Sequence, residues 1–143
     1  MNIKAFLYAA NMTNTLAKDI PEDKWNNKLI PELGTLRKLF IHIIRVRNVY
    51  REGLISGAIQ FPGKLPVTED IMLELEKSRD TLAAAFEQTN FEYIKMGTEY
   101  LSIIELQGTA IQHEGIHQGQ YYVALKQAGF SLPRQWEQDW GLR

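Results

Sequence analysis

The chain of 143 residues contains no cysteine. This absence excludes a disulfide framework, a cysteine-ligated metal site and a cysteine nucleophile, and it is typical of proteins in a reducing compartment. Any thiol used in a reaction must therefore come from a second molecule. The sequence also lacks a signal-peptide core and any apolar run of about 20 residues. We therefore expect a cytoplasmic protein with no membrane partner.

An excess of one charge sign is also missing. Sixteen basic and 17 acidic residues give a formal net charge of -1, and they are spread along the chain. A dedicated nucleic-acid binder usually carries a basic excess or a basic stripe, so we expect no nucleic-acid partner. The length suits one hydrophobic core that buries about two thirds of the unfolded surface. The sequence therefore predicts a single domain over residues 1–143.

Apolar residues recur at helical spacing, and no strand-like alternation is visible. The predicted helices cover residues of roughly 2–18, 35–56, 68–88 and 102–128. Pro21 ends the first of these, and long connections rich in proline or glycine follow both the first and the second. Such connections are common in helix bundles. The predicted fold class is all-α, a four-helix bundle with long crossover connections.

Helix ends are indicated by capping residues. Thr68 is the predicted N-cap of the third helix because its hydroxyl can accept a bond from an early backbone amide. Ser102 and Glu105 have the capping-box spacing at the start of the fourth helix, with Thr98 as an alternative start. Gly129 is the predicted stop.

Tryptophans mark the segments outside these helices. Trp25, in the first connection, is expected to fold back onto the core as an anchor together with Leu29. Trp136 and Trp140 lie in the tail after the fourth helix, and two large aromatic rings indicate a docked segment rather than a loose end.

The sequence contains only three histidines. His113 and His117 are four residues apart, so on a helix they lie about 6 Å apart along the axis and both can reach one metal ion. His42 lies on the predicted core-facing side of the second helix and would join them if the two helices pack side by side. Three histidine nitrogens with a fourth position left open are typical of a catalytic metal site. We predict one divalent ion, such as Zn²⁺, Ni²⁺, Fe²⁺ or Cu²⁺.

Other interpretations of the same residues remain open. A single histidine on an apolar face is often a hydrogen-bonded core residue. The string His113-Glu-Gly-Ile-His117 also matches the HExxH pattern of zinc metalloproteases, in which the glutamate is the general base and Glu137 would imitate a downstream ligand. Those enzymes bind peptide at a sheet edge, and no strand is predicted here. Glu114 is turned about 100° from His113, so it is alternatively an ordinary solvated or inter-helix acid.

Three residues near the histidines are candidates for catalysis. Gln120 and Tyr121 follow His117 by three and four residues, so either could project toward the same cavity and orient a water molecule or substrate. Arg45 follows His42 by three residues and could hold a carboxylate or phosphate near the metal. Alternatively, Arg45 lies along the surface of the helices.

The histidine pattern resembles the DinB/YfiT-like family of metal-binding four-helix bundles. The likeness rests on a helix-borne histidine in Leu39-Phe-Ile-His42 and on His113-Glu-Gly-Ile-His117-Gln-Gly-Gln120, which fits the signature His-x-x-x-His-x-Gly-Gln, and it covers essentially the whole chain. Many members have two adjacent histidines before Gly-Gln, whereas position 116 is isoleucine here. Residue by residue, the resemblance places the three metal ligands on His42, His113 and His117.

The resemblance also implies a range of functions. Related proteins include transferases and isomerases that use bacillithiol, mycothiol or glutathione. Three neutral ligands would leave the full charge of the ion at its open position and favour an anionic nucleophile there. We therefore expect a metal-dependent thiol S-transferase or hydrolase that acts on a small molecule, with a low-molecular-weight thiol as a cosubstrate. A non-catalytic metal-binding or stress-response protein is the alternative. The resemblance further implies a homodimer.

Overall fold

The computed structural model of the protein describes residues 1–142, and this part of the chain is mostly helical. Its α-helices are α1 (Lys4–Asp19), α2 (Leu36–Ser56), α3 (Ile71–Gln88), α4 (Ile103–Gln127) and α5 (Arg134–Trp140). A short 3₁₀ turn, Glu22–Lys24, follows α1. No helix within residues 1–142 combines the length and the apolar character needed to cross a membrane.

The four long helices pack so that α2 and α4 are neighbours. Both α1 and α2 contact α3 and α4. The connections over 20–35 and 57–70 are long, as the sequence predicts. Because α2 and α4 touch, the helix that carries His42 lies beside the helix that carries His113 and His117.

A small sheet corrects the prediction of an all-α chain without strands. β1 (Ala58–Ile59) pairs in parallel with β2 (Tyr93–Met96), which pairs in antiparallel fashion with β3 (Glu99–Ser102). Thr98 therefore lies in the turn between β2 and β3 and does not start a helix. Within β2 only Ile94 is fully buried, so the alternation is too short to stand out in the sequence.

The helix starts depend on their caps. The Thr35 hydroxyl accepts a bond from the Lys38 amide at the start of α2, and Ser102 and Glu105 form the predicted capping box of α4. The predicted cap of α3 is wrong. Asp70 is the N-cap, with its carboxylate 3.0 Å from the Leu73 amide, because a charged acceptor also interacts with the positive end of the helix dipole. The Thr68 hydroxyl donates instead to Glu74.

A polar layer divides the hydrophobic core into two clusters. One cluster packs around Phe40 and Trp136, and the other around Phe6 and Phe86. In this layer the buried Arg47 side chain of α2 bonds to one buried polar side chain from each of the other three long helices. We call this set the polar layer, and its members are Asn14, Arg47, Ser78 and Glu114.

The tail is docked, as its tryptophans predict. The Trp136 side chain is fully buried, and its indole N–H donates to the Met12 carbonyl over 2.9 Å. Trp140 is 50% exposed and meets the edge of Tyr8. Trp25 is also buried, and its indole N–H donates to the Ile20 carbonyl. These anchors fix the first connection and α5 against the core.

Candidate metal centre

The three histidines converge at the interface of α2 and α4. Nε2 of His42 lies 3.0 Å from Nε2 of His113 and 3.1 Å from Nε2 of His117. One nitrogen from each ring lies within 4.8 Å of the others. Three nitrogens bound to one tetrahedral Zn²⁺ are separated by about 3.3 Å, given Zn–N bonds of about 2.0–2.1 Å. The cluster therefore has the donor set and the spacing to hold one metal ion.

Gln120 orients one of these rings. Its side-chain oxygen lies 2.9 Å from Nδ1 of His117. A carbonyl oxygen can only accept, so His117 carries its proton on Nδ1 and presents the lone pair of Nε2 to the cluster. This is the partner that metal-binding histidines usually have on their other nitrogen. Gln120 thus contacts a candidate ligand rather than the cavity.

The surroundings of His42 and His113 disfavour the charged forms of these two rings. Partial removal from water lowers the pKa of His42, and the positive charges of a protonated His117, Arg45 and Lys38 lower it further. Burial lowers the pKa of His113 to about 3, with further contributions from His117, His42 and Arg47. A neutral imidazole has the free lone pair that a metal requires.

A cavity of about 840 Å³ opens beside the three histidines. Its wall is formed by α2, parts of the connections before and after α2, and the two histidines of α4. The lining residues that carry charge or can donate hydrogen bonds are Asn26, Thr35, Arg37, Lys38, His42, Arg45, Tyr50, His113 and His117. The volume is in the range of small-molecule sites. His42 is exposed toward this cavity, so the prediction that it faces the core is wrong.

Arg45 is part of this wall and is held in place. Its Nε donates to the Gly63 carbonyl oxygen over 2.9 Å. A Cβ at Gly63 would collide with the Arg45 carbonyl oxygen and the Val49 side chain. Glycine is therefore needed for the loop to lie this close to α2. The structure brings Arg45 to the site beside His42, as the sequence predicts, with its guanidinium tied to the loop.

Tyr121 does not line the cavity. It is 3% exposed, and its hydroxyl donates to the carbonyl oxygens of Leu33 and Thr35. It therefore fastens the start of α2 to α4. Of the three candidates from the sequence, Arg45 lies in the cavity wall, Gln120 contacts a histidine and Tyr121 is part of the core.

Glu114 is buried beside the histidines, which corrects the prediction of a solvated acid and agrees with its inter-helix alternative. Its side chain is 2% exposed and pairs with Arg47 at 2.6 Å. The Arg47 guanidinium also donates to backbone and side-chain acceptors on α1 and α3, namely Ala10, Asn14, Leu75 and Ser78. Glu114 is therefore committed to a structural ion pair and is not available as a general base.

Tyr50 is a residue of the cavity wall that the sequence does not single out as functional. Its side chain is 4% exposed, and within residues 1–142 its hydroxyl makes no hydrogen bond. Burial raises the pKa of Tyr50, and the charge of Glu114 raises it further. The hydroxyl is thus a neutral donor at pH 7. Its position on the buried stripe of α2 predicts only packing, since periodicity does not indicate where a cavity lies.

The chain is similar to a known protein family and to solved structures. The DinB family model matches residues 3–135. A DinB-like protein from Bacillus subtilis is similar in structure, with a TM-score of 0.72 and 21% identity over 92% of this chain and 94% of its own. A DinB-like protein from Bacillus cereus gives a TM-score of 0.70 and 19% identity over 92% and 93%. No curated protein matches the chain with significance. Since the family model spans nearly the whole sequence, the chain belongs to the DinB family.

Proposed function

We propose that the protein is a metal-dependent enzyme, either a thiol S-transferase or a hydrolase, that holds one divalent ion on His42, His113 and His117. The observation that carries the proposal is the opening of the cavity at the three histidines. Catalysis at a metal requires both an open position and space for a substrate beside it. A site that only stored or structured a metal would need neither.

The residues of the chain have separate roles in this proposal. The three histidines hold the ion, and Gln120 fixes the ring of His117. When bound, such an ion supplies a Lewis acid that lowers the pKa of a coordinated water or thiol. Three neutral ligands leave the full charge of the ion in place, which favours an anionic nucleophile. The Tyr50 hydroxyl can donate a hydrogen bond to a substrate in the cavity.

The cosubstrate and the assembly are parts of the same proposal. Because the chain has no cysteine, a thiol reaction requires a low-molecular-weight thiol such as bacillithiol or glutathione. The proposed molecule is a cytoplasmic homodimer of single-domain chains, in which the four long helices form the bundle and the sheet is an addition to it. Sedimentation at high micromolar concentration tests the dimer, and a monomer would remove it.

Two other functions are less well supported. A metalloprotease of the HExxH type requires Glu114 as a general base, but this carboxylate is paired with Arg47. Glu137, its possible downstream ligand, pairs with Lys126 at 3.0 Å. A non-catalytic metal-binding or stress-response protein would hold the same ion without using the cavity.

Turnover assays separate these functions. The metal-loaded protein is incubated with bacillithiol or glutathione and a chlorobimane electrophile, and separately with panels of esters and lactones. We expect metal-dependent turnover in one of the two assays and its loss in His117→Ala. Arg51→Gln is the control, because Arg51 is a cation of α2 outside the cavity wall. Metal binding without turnover in any assay would favour the non-catalytic alternative.

A further inference from the structure

The cavity beside the histidines has an uneven distribution of charge. Three cationic side chains line it, those of Arg37, Lys38 and Arg45, while none of the lining residues within 1–142 is acidic. The net charge of the whole chain is -1, so this excess is local. A concave site with one sign of charge attracts ligands of the opposite sign.

The three cations differ in whether they are already neutralised. Arg37 is bound to Glu22 at 3.5 Å and to Asn26 at 2.9 Å, and it lies over the Trp25 ring. Lys38 and Arg45 have no ion pair with any residue in 1–142. Their charges are therefore the ones available to a ligand in the cavity.

Arg45 is the more organised of the two. Its Nε is bound to the Gly63 carbonyl, which holds the guanidinium in the wall and leaves its terminal N–H groups without a partner in residues 1–142. Guanidinium groups bind carboxylate and phosphate through two parallel hydrogen bonds. Holding the group in place before binding reduces the entropy that a ligand must overcome.

The charges of Arg45 and Lys38 also act on the candidate metal site. Lys38 lies four residues before His42 and Arg45 three after it on α2, so the three side chains share one face of the helix, and all three line the same cavity. Their effect adds to that of any cation held by the histidines. A ligand that places an anionic group between them and the histidines would offset this repulsion.

Another part of the wall is apolar. Ile41, Val46, Phe61 and Pro62 line the cavity together with the charged residues. Phe61 is 57% exposed, so its ring is accessible to a ligand in the cavity. An apolar ligand body would bury this ring while the cations hold the anionic group.

We propose that Arg45 and Lys38 form an anion-binding subsite in this cavity and that its ligand is a small molecule with a carboxylate or phosphate group on an apolar body. The inference rests on the proposed function in one respect, the use of this cavity as the substrate site. The two cations hold the anionic group, and the rings of Phe61 and Pro62 contact the body.

Calorimetric binding of simple probes tests the subsite. The probes are phenylphosphonate, benzoate and, as a neutral counterpart, benzyl alcohol, each titrated into zinc-loaded and metal-free protein. We expect one or both anions to bind both forms more tightly than benzyl alcohol does. We expect Arg45→Gln to weaken binding at least about tenfold, because a hydrogen bond to a charged group contributes more than the ~1.4 kcal/mol of a tenfold change.

Matched variants separate a lost subsite from a damaged fold. Lys38→Gln changes an exposed side chain and is expected to weaken anion binding by a smaller factor than Arg45→Gln. Arg51→Gln removes the same charge from the same helix outside the cavity wall and is expected to leave binding within about twofold of wild type, since a charge that does not contact the ligand acts only through an attraction that salt weakens. Circular dichroism confirms that each variant is folded.

The outcomes distinguish this inference from the proposed function. Anion binding that is lost in the double variant Lys38→Gln/Arg45→Gln supports the subsite even if no metal binds. Preference for phosphonate or for benzoate identifies the anionic group. A wild-type protein that retains its metal but binds neither anion would overturn the subsite and leave the metal centre standing. Undiminished binding in the folded double variant would also overturn it.

Discussion

Two polar clusters lie side by side in this molecule, one buried among the four long helices and one beside the cavity, and their hydrogen-bonding groups are satisfied in opposite ways. They meet at adjacent residues of α4, His113 and Glu114. Glu114 belongs to the polar layer, where Arg47 donates to acceptors on all three neighbouring helices. The histidine cluster has one described partner outside itself, Gln120. Its remaining lone pairs face one another and the cavity.

The difference indicates which cluster is structural and which is available for chemistry. Buried polar groups require hydrogen-bond partners. The residues of the polar layer bond mainly to one another and to nearby backbone. Among the buried side-chain nitrogen and oxygen atoms of residues 1–142, only the Asn14 side-chain nitrogen has no partner. The Nε2 atoms of the three histidines converge on one point instead, and each neutral ring can present a lone pair there. A cation is the partner that accepts three lone pairs at once.

The largest effect is expected from breaking the polar layer. Glu114→Ala leaves the Arg47 guanidinium buried without its counter-charge, and the loss of one partner from a buried pair costs about 3–5 kcal/mol. Urea unfolding followed by circular dichroism measures this change. Glu52→Ala is the control, because Glu52 pairs with Lys64 at the surface over 3.6 Å. Such pairs contribute less than about 1 kcal/mol, and an equally small loss in Glu114→Ala would contradict the structural role of the layer.

The second largest effect on stability is expected from a metal ion bound by the histidines. Zinc at about one hundred times its dissociation constant should stabilise the folded protein by about 2.7 kcal/mol, because it binds the folded form in preference to the unfolded chain. Thermal unfolding with zinc and with chelator measures the gain. His113→Asn should abolish it and still fold. A gain of wild-type size in this variant would show that zinc binds elsewhere.

A smaller effect is expected at the side chain that orients His117. Gln120→Ala removes the acceptor for Nδ1, and loss of such a partner weakens metal binding by about tenfold or more, which corresponds to ~1.4 kcal/mol. Competition with a chelator of known affinity measures it. Gln112→Ala is the matched control, a glutamine exposed on the same helix. Equal affinities of the two variants would remove the role of Gln120.

The smallest effect on stability is expected at Tyr50, which lines the cavity and is acted on by the charge of Glu114. Burial and the charge of Glu114 raise its pKa above the ordinary value of 10.0. Between that value and its folded pKa, the folded protein keeps a proton that the unfolded chain has lost, so stability is present below pH 10 and falls as the pH rises further. Tyr50→Phe should therefore lose less stability than wild type between pH 9 and pH 11.

Urea unfolding at the two pH values measures this difference. Tyr100→Phe is the control, because Tyr100 is 63% exposed and its replacement should leave the alkaline loss as in wild type. The same loss in Tyr50→Phe as in wild type would mean that the Tyr50 proton is not linked to folding.

The sequence predicts the helices and the histidine cluster well for a physical reason. Helical periodicity, caps such as Ser102 and stops such as Gly57 and Gly129 are local signals. The spacing of His113 and His117 is also local. Their meeting with His42 requires only that α2 and α4 are neighbours, which the resemblance implies.

The polar layer and the sheet could not be predicted in the same way. Arg47 lies four residues after Ile43 and three before Tyr50, and Glu114 lies four after Ala110. Charges at core spacing on two helices are a signal for a buried pair, but the choice of partner depends on helix packing. The sheet depends on pairing between β1 and β2, which are distant in the chain. The cavity that Lys38 lines forms only when the loop around Gly63 is in place, because this loop is part of the cavity wall.

Metal content is the measurement that tests the central claim most directly. Protein made without a histidine tag is loaded with Zn²⁺, Ni²⁺, Fe²⁺ or Cu²⁺ in turn, dialysed and analysed by mass spectrometry for metal per chain. Folded His42→Ala and His117→Ala are treated alongside Arg51→Gln. We predict about one ion per chain in wild type and Arg51→Gln, and almost none in the histidine variants, since three nitrogens form the site. Undiminished metal in the histidine variants, or no ion in folded wild type with any of the four metals, would contradict the account.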